Sequence, residues 1–236
     1  MRLSLVIPAY NEKKRIGGSL RRVAAYLGRQ SYEFEVIVVD DGSTDGTASI
    51  VTASLPTARL ISYTPNRGKG HAVKTGMLQA QGAYRMFYDA DGSTPIEELE
   101  KLWPRFDDGA DVVIGSRSLP ESDVRVRQHW VREYMGRTFN VFVKLLVLRG
   151  FVDTQCGFKG FTAKSAEILF SRQTRNGFSF DAELLYIAKK HGQRIDEIPV
   201  RWLNSPASSV KTITDSLRML RDLLVIRLND LTGKYA

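Results

Sequence analysis

Two acidic side chains directly after an apolar segment carry the clearest chemical signal in the sequence. Asp89 and Asp91 flank Ala90 and follow the segment 84–88. Both carboxylates can reach one divalent cation, directly or through water, because Mg²⁺ and Mn²⁺ prefer hard oxygen ligands and share them with substrate phosphates. A metal held there would neutralise the charge that grows on a departing diphosphate. Acidic loop residues are usually only solvated, but their position after an apolar strand favours a metal site.

A second acidic pair and a basic, glycine-rich segment point to a nucleotide. Asp40 and Asp41 end the apolar segment 34–39 and are suited to accepting hydrogen bonds from a base or a ribose. Asp45, further along, is explained by helix capping alone. In the segment 66–70, Asn-Arg-Gly-Lys-Gly, the glycines permit close backbone approach and the cations can meet phosphate. The segment has neither the Walker spacing nor the dinucleotide fingerprint, which argues against a nucleoside triphosphatase and a nicotinamide enzyme.

The elements that must position these residues alternate between strand and helix. The predicted strands are 3–7, 34–39, 59–63, 84–88 and 111–114, and the predicted helices are 16–27, 47–54, 72–80 and 96–106. This alternation predicts an α/β domain with an open, mainly parallel, Rossmann-like sheet flanked by helices, in which ligands bind at the carboxyl ends of the strands. We therefore expect four loops to converge on one rim: 8–12, 40–45, 89–91 and 115–117.

Two later segments have amphipathic character. Residues 124–149 contain six Arg or Lys side chains among aromatic and aliphatic ones and read as one or two basic helices. The segment 213–231 is predicted as a C-terminal helix, with Arg218, Asp222 and Asn229 opposite an apolar stripe. That stripe consists of Ile213, Leu217, Leu220, Leu224, Leu228 and Leu231. Val225 and Ile226 widen it, so packing on the domain or a partner and lying in a lipid interface both stay open.

Composition narrows the class of protein. The 236 residues, of which 43% are hydrophobic, fit one domain. The single cysteine, Cys156, cannot form an internal disulfide, and the three histidines lack zinc-binding spacing. These features indicate a cytoplasmic protein.

The charge indicates an anionic partner, because the formal net charge is +8. Nucleic acid, nucleotide phosphates and acidic lipid all fit the charge, but no nucleic-acid-binding motif is present, and much of the basic charge is interleaved with apolar residues. A nucleic-acid-binding module is therefore the weakest interpretation. No signal peptide and no apolar run of about 20 residues is found. We expect peripheral contact with a membrane surface.

Five motifs in order resemble the family 2 glycosyltransferases of the GT-A fold. They are Pro8-Ala9-Tyr10-Asn11-Glu12 and the segments 40–47, 66–70, 89–93 and 115–117. Within that family, further segments look like the dolichyl-phosphate β-glucosyltransferases, and more loosely like dolichyl-phosphate mannose synthases and bacterial polyprenyl-phosphate glucosyltransferases. These segments are 153–161, 180–185, Trp202, 222–227 and 231–233.

The resemblance implies roles for individual residues. The loop Pro8 to Glu12, with Asp40, Asp41 and Lys69, would hold the nucleotide sugar. Asp89 and Asp91 would hold Mg²⁺ or Mn²⁺ and the diphosphate, and Ala90 between them would also contact the nucleotide sugar. Candidates for the phosphates of donor or acceptor are Arg117, Lys159, Arg201 and Lys211, and Asp153 and Asp181 would orient reacting groups.

The resemblance also implies a reaction. A hexose, glucose from UDP-glucose by this resemblance, would pass with inversion to a dolichyl or polyprenyl phosphate at the cytoplasmic face of a membrane. A mannosyltransferase that uses GDP-mannose, and a family 2 transferase with a soluble or polysaccharide acceptor, are the alternatives. We expect one domain over 1–236, with a donor half at 1–117, an acceptor half at 118–211 and the helix at 212–236. A homodimer or a membrane partner subunit is left open.

Two departures from the family pattern stand out. The eukaryotic glucosyl enzymes carry a hydrophobic N-terminal anchor, which this sequence does not show. Where they have Gly-Ser-Lys shortly after the tryptophan, this chain has Ser208-Ser209-Val210-Lys211.

Overall fold

The computed structural model describes residues 1–124, 150–203 and 212–236, and for residues 212–217 it describes the backbone alone. The predicted basic helices lie almost wholly in 125–149, outside the described residues. Lys211 also lies outside the described residues. Among the helices that are described, none is both long enough and apolar enough to cross a bilayer.

Seven strands form one sheet in the order β3-β2-β1-β4-β6-β5-β7. The strands are β1 Leu3–Ala9, β2 Phe34–Asp40, β3 Arg59–Ser62, β4 Tyr84–Tyr88, β5 Val112–Ser116, β6 Phe158–Thr162 and β7 Ile195–Pro199. All neighbours pair in parallel except β6, which runs antiparallel to β4 and to β5. The prediction of an open, mainly parallel sheet is confirmed, and the reversed strand β6 is a feature that the alternation did not predict.

Helices cover both faces of the sheet, which explains why the strands are apolar on both sides. They are α1 Ile16–Leu27, α2 Thr47–Ser54, α3 Lys69–Gln79, α4 Trp103–Asp107, α5 Ala163–Arg172, α6 Phe180–Lys190 and α7 Thr212–Leu231, with a 3₁₀ helix at Ile96–Lys101. Val6 of β1 faces the apolar cluster built with α3, α5, α6 and α7. Its neighbours Leu5 and Ile7 face the cluster built with α1, α2 and α4.

Two predicted helix boundaries were wrong. Helix α3 begins at Lys69, three residues before the predicted start, because Gly68 with φ of 103° turns the chain directly into the helix. This places Lys69 in the first turn. The predicted helix 96–106 is a 3₁₀ helix followed by the short α4. Pro104 lacks an N–H group and is tolerated only in the first turn of a helix, so a new helix starts there.

The C-terminal helix forms as predicted, but a different face packs on the protein. Leu223 and Ile226 are fully buried, whereas Leu224 and Leu228 of the predicted stripe are exposed. Asn229, predicted on the polar face, is buried and donates to Thr174. The helix carries two apolar lines, and the core uses the one whose flanking acids, Asp222 and Asp230, pair with residues of neighbouring elements.

Candidate functional site

The end of β4 brings an acid and a base together at the carboxyl edge of the sheet. Asp89 follows β4 directly, and its Oδ1 lies 2.7 Å from Nζ of Lys69 in the first turn of α3. Burial, the largest single influence, lowers the pKa of Lys69, but the carboxylates of Asp89, Asp181 and Asp91 together outweigh it and raise the pKa above its usual value. Lys69 is thus a fixed cation beside a carboxylate that is one-third exposed.

A glycine makes room for that carboxylate. A Cβ atom built on Gly157 would lie only 1.9 Å from Oδ2 of Asp89, with the other two carboxylate atoms within 2.5 Å. The backbone N–H of Asp89 donates to the carbonyl of Gly157 at 3.2 Å. The segment just before β6 therefore forms a cradle for Asp89, and only glycine leaves that cradle open.

The second acid of the pair is held from two sides. Oδ1 of Asp91 accepts a hydrogen bond from the backbone N–H of Ser93 at 2.9 Å. Oδ2 lies 3.9 Å from the guanidinium of Arg15, which also makes a two-pronged contact with Glu12. Burial, the largest influence, raises the pKa of Glu12, while the Arg15 contact opposes the rise. Arg15 thus links the loop after β1 to the loop after β4.

The loops after β1 and β2 are tied by hydrogen bonds. The N–H of Asn11 donates to Ser43, and the side-chain oxygen of Asn11 accepts from the N–H of Thr44. Asn11 adopts a φ of 54°, a conformation that asparagine tolerates better than most residues. Pro8 and Ala9 lie buried at the end of β1, whereas Tyr10 projects outward with 44% exposure. Tyr10 thus presents its ring to solvent at this edge.

The carboxylates of Asp40 and Asp41 accept hydrogen bonds from backbone N–H groups of neighbouring loops. Oδ1 of Asp40 accepts from the N–H of Ser43. The carboxylate of Asp41 accepts from the N–H groups of Arg67 and Gly68 and from the amide of Asn66, each at 2.8 Å. Asp41 therefore fixes the segment that presents Lys69. Its predicted contact with a nucleoside stays a prediction.

A third loop supports the start of α3 from the other side. A Cβ on Gly68 would lie 2.4 Å from the carbonyl oxygen of Asn176, and one on Gly70 would lie 2.7 Å from that of Arg175. The loop is held in turn by Glu183, which is fully buried. Its carboxylate accepts from the N–H groups of Thr174 and Arg175 and from the hydroxyl of Tyr235. The C-terminal residues thus brace the segment that carries Lys69.

Arg117 and Asp153 form a two-pronged ion pair at the end of β5. The guanidinium donates to both carboxylate oxygens at 2.7 and 2.9 Å. Burial alone would raise the pKa of Asp153, but the Arg117 guanidinium lowers it to about 2. The guanidinium lies 5.6 Å from the ring centre of Trp202 and keeps 29% exposure, whereas Asp153 has 1%. Arg117 can bind an anion with its exposed part, while Asp153 fixes the orientation of the guanidinium.

Lys159 lies inside the protein with 0% exposure. Its ammonium donates to Oδ1 of Asp181 at 2.5 Å and to the carbonyl of Cys156. Burial, which outweighs the two nearby lysines, raises the pKa of Asp181. The predicted role of Lys159 as a phosphate ligand stays a prediction. The geometry favours a different role, in which Lys159 fixes Asp181 below the rim.

The other two basic residues predicted to bind phosphate, Arg201 and Lys211, are not placed beside Lys69 and Asp89 by the described structure. Arg201 pairs with Glu98 at 3.6 Å, beside the 3₁₀ helix that follows the acidic loop. Lys211 lies outside the described residues.

The donor set at the rim fits a divalent cation that is completed by other ligands. In the described part of the chain, no group of three or more potential metal-binding side chains occurs. Asp89 and Asp91 nevertheless present two partly exposed carboxylates, and the cradle at Gly157 fixes one of them. Two carboxylates, with the remaining positions filled by diphosphate oxygens and water, suit Mg²⁺ or Mn²⁺.

Two contributors to the site escaped the sequence analysis. Arg15 carried no signal apart from its charge, since it lies before a helix rather than in a motif. Gly157 stood within a segment that was read as a family feature, and its contact with Asp89 needs the antiparallel strand β6 beside β4. Knowledge of that strand pairing would have revealed Gly157.

An open, mostly parallel sheet with an acidic pair and a lysine at its carboxyl edge is the arrangement of the GT-A class of glycosyltransferases. The family model described as glycosyl transferase family 2 matches residues 4–168. The chain belongs to this family, and it is therefore a glycosyltransferase.

Known proteins resemble the chain over nearly its whole length. It is 35% identical to the dolichyl-phosphate beta-glucosyltransferase of Dictyostelium discoideum, over 98% of this chain and 75% of that protein. Glucosyl-3-phosphoglycerate synthase of Mycobacterium tuberculosis, solved with Mn²⁺, UDP-glucose and phosphoglyceric acid, has a TM-score of 0.68 at 21% identity, over 97% of this chain and 79% of that one. Mannosyl-3-phosphoglycerate synthase of Rubrobacter xylanophilus has a TM-score of 0.72 at 22% identity, over 99% and 75%. At these identities the solved structures establish the fold.

Proposed function

We propose that the chain transfers glucose from UDP-glucose to a dolichyl or polyprenyl phosphate, with inversion, at the cytoplasmic face of a membrane. The observation that carries the proposal is the convergence of Lys69, Asp89 and Asp91 at the carboxyl edge of the sheet, with Arg117 at the end of a nearby strand. The name of the Dictyostelium relative, 35% identical over almost the whole chain, supports the choice of sugar and acceptor.

The donor binds at the loops that follow β1, β2 and β4. The loop from Pro8 to Glu12, with Asp40 and Asp41, shapes the nucleoside side, and Lys69 neutralises a phosphate charge. A divalent cation on Asp89 and Asp91, when bound, supplies further positive charge to the diphosphate. Because Asp41 and Glu183 brace the segment around Lys69 from opposite sides, the ammonium is preorganised for the anion.

The acceptor provides its own nucleophile. An oxygen of the lipid phosphate attacks the anomeric carbon, the new carbon–oxygen bond forms, and the bond to UDP breaks with its electron pair leaving on UDP. A phosphate monoester is ionised at neutral pH, so no strong general base is required. Asp153 suits this scheme, since its low pKa makes it a poor proton acceptor and a good anchor for Arg117. Positioning and charge stabilisation carry the rate.

A donor panel tests the proposal. The purified chain is incubated with UDP-glucose, GDP-mannose and other UDP-sugars, a polyprenyl phosphate, and Mg²⁺ or Mn²⁺, and the lipid product is analysed by mass spectrometry. We expect hexose transfer from UDP-glucose and an inverted anomeric configuration by NMR. Transfer only from GDP-mannose, or only to a soluble acceptor such as a phosphorylated glycerate, would replace the proposed reaction with one of its alternatives.

A further inference from the structure

The outer face of helix α7 carries a line of exposed leucines. Leu224, Leu228 and Leu231 are 53%, 58% and 79% exposed. Residues spaced by four and three positions follow one another along the surface of a helix, so the three side chains form a continuous strip, here called the leucine ridge. Exposed single leucines are ordinary, but a contiguous apolar strip marks a surface that contacts something.

The ridge is not needed for folding, because the opposite face of α7 already docks on the protein. Leu223 and Ile226 are fully buried there, and Met219 and Leu220 pack against the same cluster. Asn229, also on the docked side, donates to Thr174 and Tyr235.

Charge is segregated between the two faces. Both acids of α7 whose side chains are described turn towards the protein: Asp222 pairs with Arg175 at 3.3 Å, and Asp230 pairs with Lys190. The exposed basic residues Arg218, Arg221 and Arg227 lie beside the ridge, with Lys234 in the turn that follows, and Arg227 also donates to the hydroxyl of Tyr186 at 2.9 Å. The acids are thus neutralised by the protein's own cations, and the outer face presents leucines between positive charges.

We propose that the leucine ridge and its flanking arginines form a docking surface for an anionic lipid bilayer, on which α7 lies in the plane of the headgroups. Apolar side chains with cationic flanks are what an interfacial helix requires. The proposal rests on the proposed function, because a lipid-phosphate acceptor requires the enzyme to stay at a membrane. It goes further by assigning the contact to one face of one described helix.

A second copy of the chain fits this surface poorly. A two-fold contact through the ridge would place the flanking arginines of one copy against those of the other. The two helix acids whose side chains are described, Asp222 and Asp230, are already paired within the protein and do not relieve this repulsion. An anionic surface has the complementary charge, and a chain with a formal net charge of +8 is attracted to it.

Vesicle co-sedimentation of the full chain tests the proposal without any donor or acceptor. The vesicles contain phosphatidylcholine alone or with about 30% phosphatidylserine, a composition that gives a negative surface potential. We expect binding to the anionic vesicles that weakens with added salt. The double variant Leu224→Ser/Leu228→Ser and the single variant Arg221→Glu should each bind at least about tenfold more weakly.

The matched control is Leu78→Ser, which removes a leucine of 42% exposure from the end of α3 and should bind as the unaltered chain does. All variants should keep their melting temperature. Wild-type vesicle binding by the ridge and arginine variants overturns the proposal, as does a loss of self-association in place of a loss of vesicle binding. Transfer to a short, water-soluble polyprenyl phosphate should be unchanged in the ridge variants. If the wild-type chain shows no transfer in that assay, the proposed function is wrong, but the conclusion from vesicle binding is unaffected.

Discussion

Nζ of Lys69 lies 2.7 Å from Oδ1 of Asp89, so the first turn of α3 and the end of β4 meet through opposite charges. The carboxylate of Asp89 is therefore balanced before any divalent cation arrives. Asp89 would hold a divalent cation in place of part of this contact, and Lys69 would then be available to a diphosphate.

Replacing Asp91 by Asn should lower transfer by at least about a hundredfold, because the metal loses an anionic ligand. The fold should persist, since the side chain sits in a partly exposed loop. Initial rates and Mn²⁺ binding, followed by electron paramagnetic resonance, measure the two effects. Retention of most activity, or indifference to a chelator, would refute the metal assignment.

Replacing Gly157 by Ala should displace Asp89, because the added methyl group would overlap its carboxylate. We expect weaker Mn²⁺ binding and about tenfold slower transfer, since small misplacements of a charged group are costly. Gly18→Ala is the matched control: a Cβ there has its nearest neighbour at 3.7 Å. Equal Mn²⁺ binding in both variants would show that the cradle is not required.

Replacing Arg117 by Met should impair both turnover and stability. A role in phosphate binding alone would leave the melting temperature nearly unchanged, but the substitution also leaves the buried carboxylate of Asp153 without its cation. The loss should be about 2 kcal/mol, or about 5 °C in melting temperature. The double variant Arg117→Met/Asp153→Asn should recover stability without recovering activity. Recovery of activity would assign the pair a purely structural role.

Asp153 should also make a pH-dependent contribution to stability. Its pKa of about 2 in the folded protein lies below the usual value of 3.8, so the ionised form stabilises the fold by about 2 kcal/mol near neutral pH. This contribution is lost as the pH falls from about 4 to about 2. Urea unfolding of the wild-type chain and of Asp153→Asn should therefore differ in pH dependence across that range. Parallel profiles would contradict the low pKa.

Removal of all residues after Lys211 should unfold the protein. Leu223, Ile226 and Tyr235 are fully buried, and Tyr235 donates to the buried Glu183. A helix that touched only lipid would instead leave a soluble, folded truncation. Tyr235→Phe isolates one contact and should cost about 1 kcal/mol. A soluble truncation with a wild-type melting temperature would show that α7 is dispensable.

The sequence predicted the features that depend on a single strand or helix. The apolar runs predicted β1, β2 and β4, and the residues that end them, such as Asp89, did meet at one edge. The sequence did not predict contacts between two distant segments. These are the reversed pairing of β6 with β4 and the contact of Gly157 with Asp89. The inner face of α7 is the same kind of case, since the helix has two apolar lines and the pairing of Asp222 with Arg175 and of Asp230 with Lys190 is visible only in the fold.

The place of β6 in the sheet also bears on how the chain reaches its native state. Strand β6 lies between β4 and β5, although it is made after both. A nascent chain that has emerged only as far as Arg117 therefore holds β3-β2-β1-β4 and a separate β5, with an open sheet edge between them. The sheet closes only when residues 158–162 arrive from far along the chain, a long-range pairing that slows folding. We therefore expect that residues 1–117 do not fold as an independent unit, and that a chain ending there would expose the edge of β4 to aggregation.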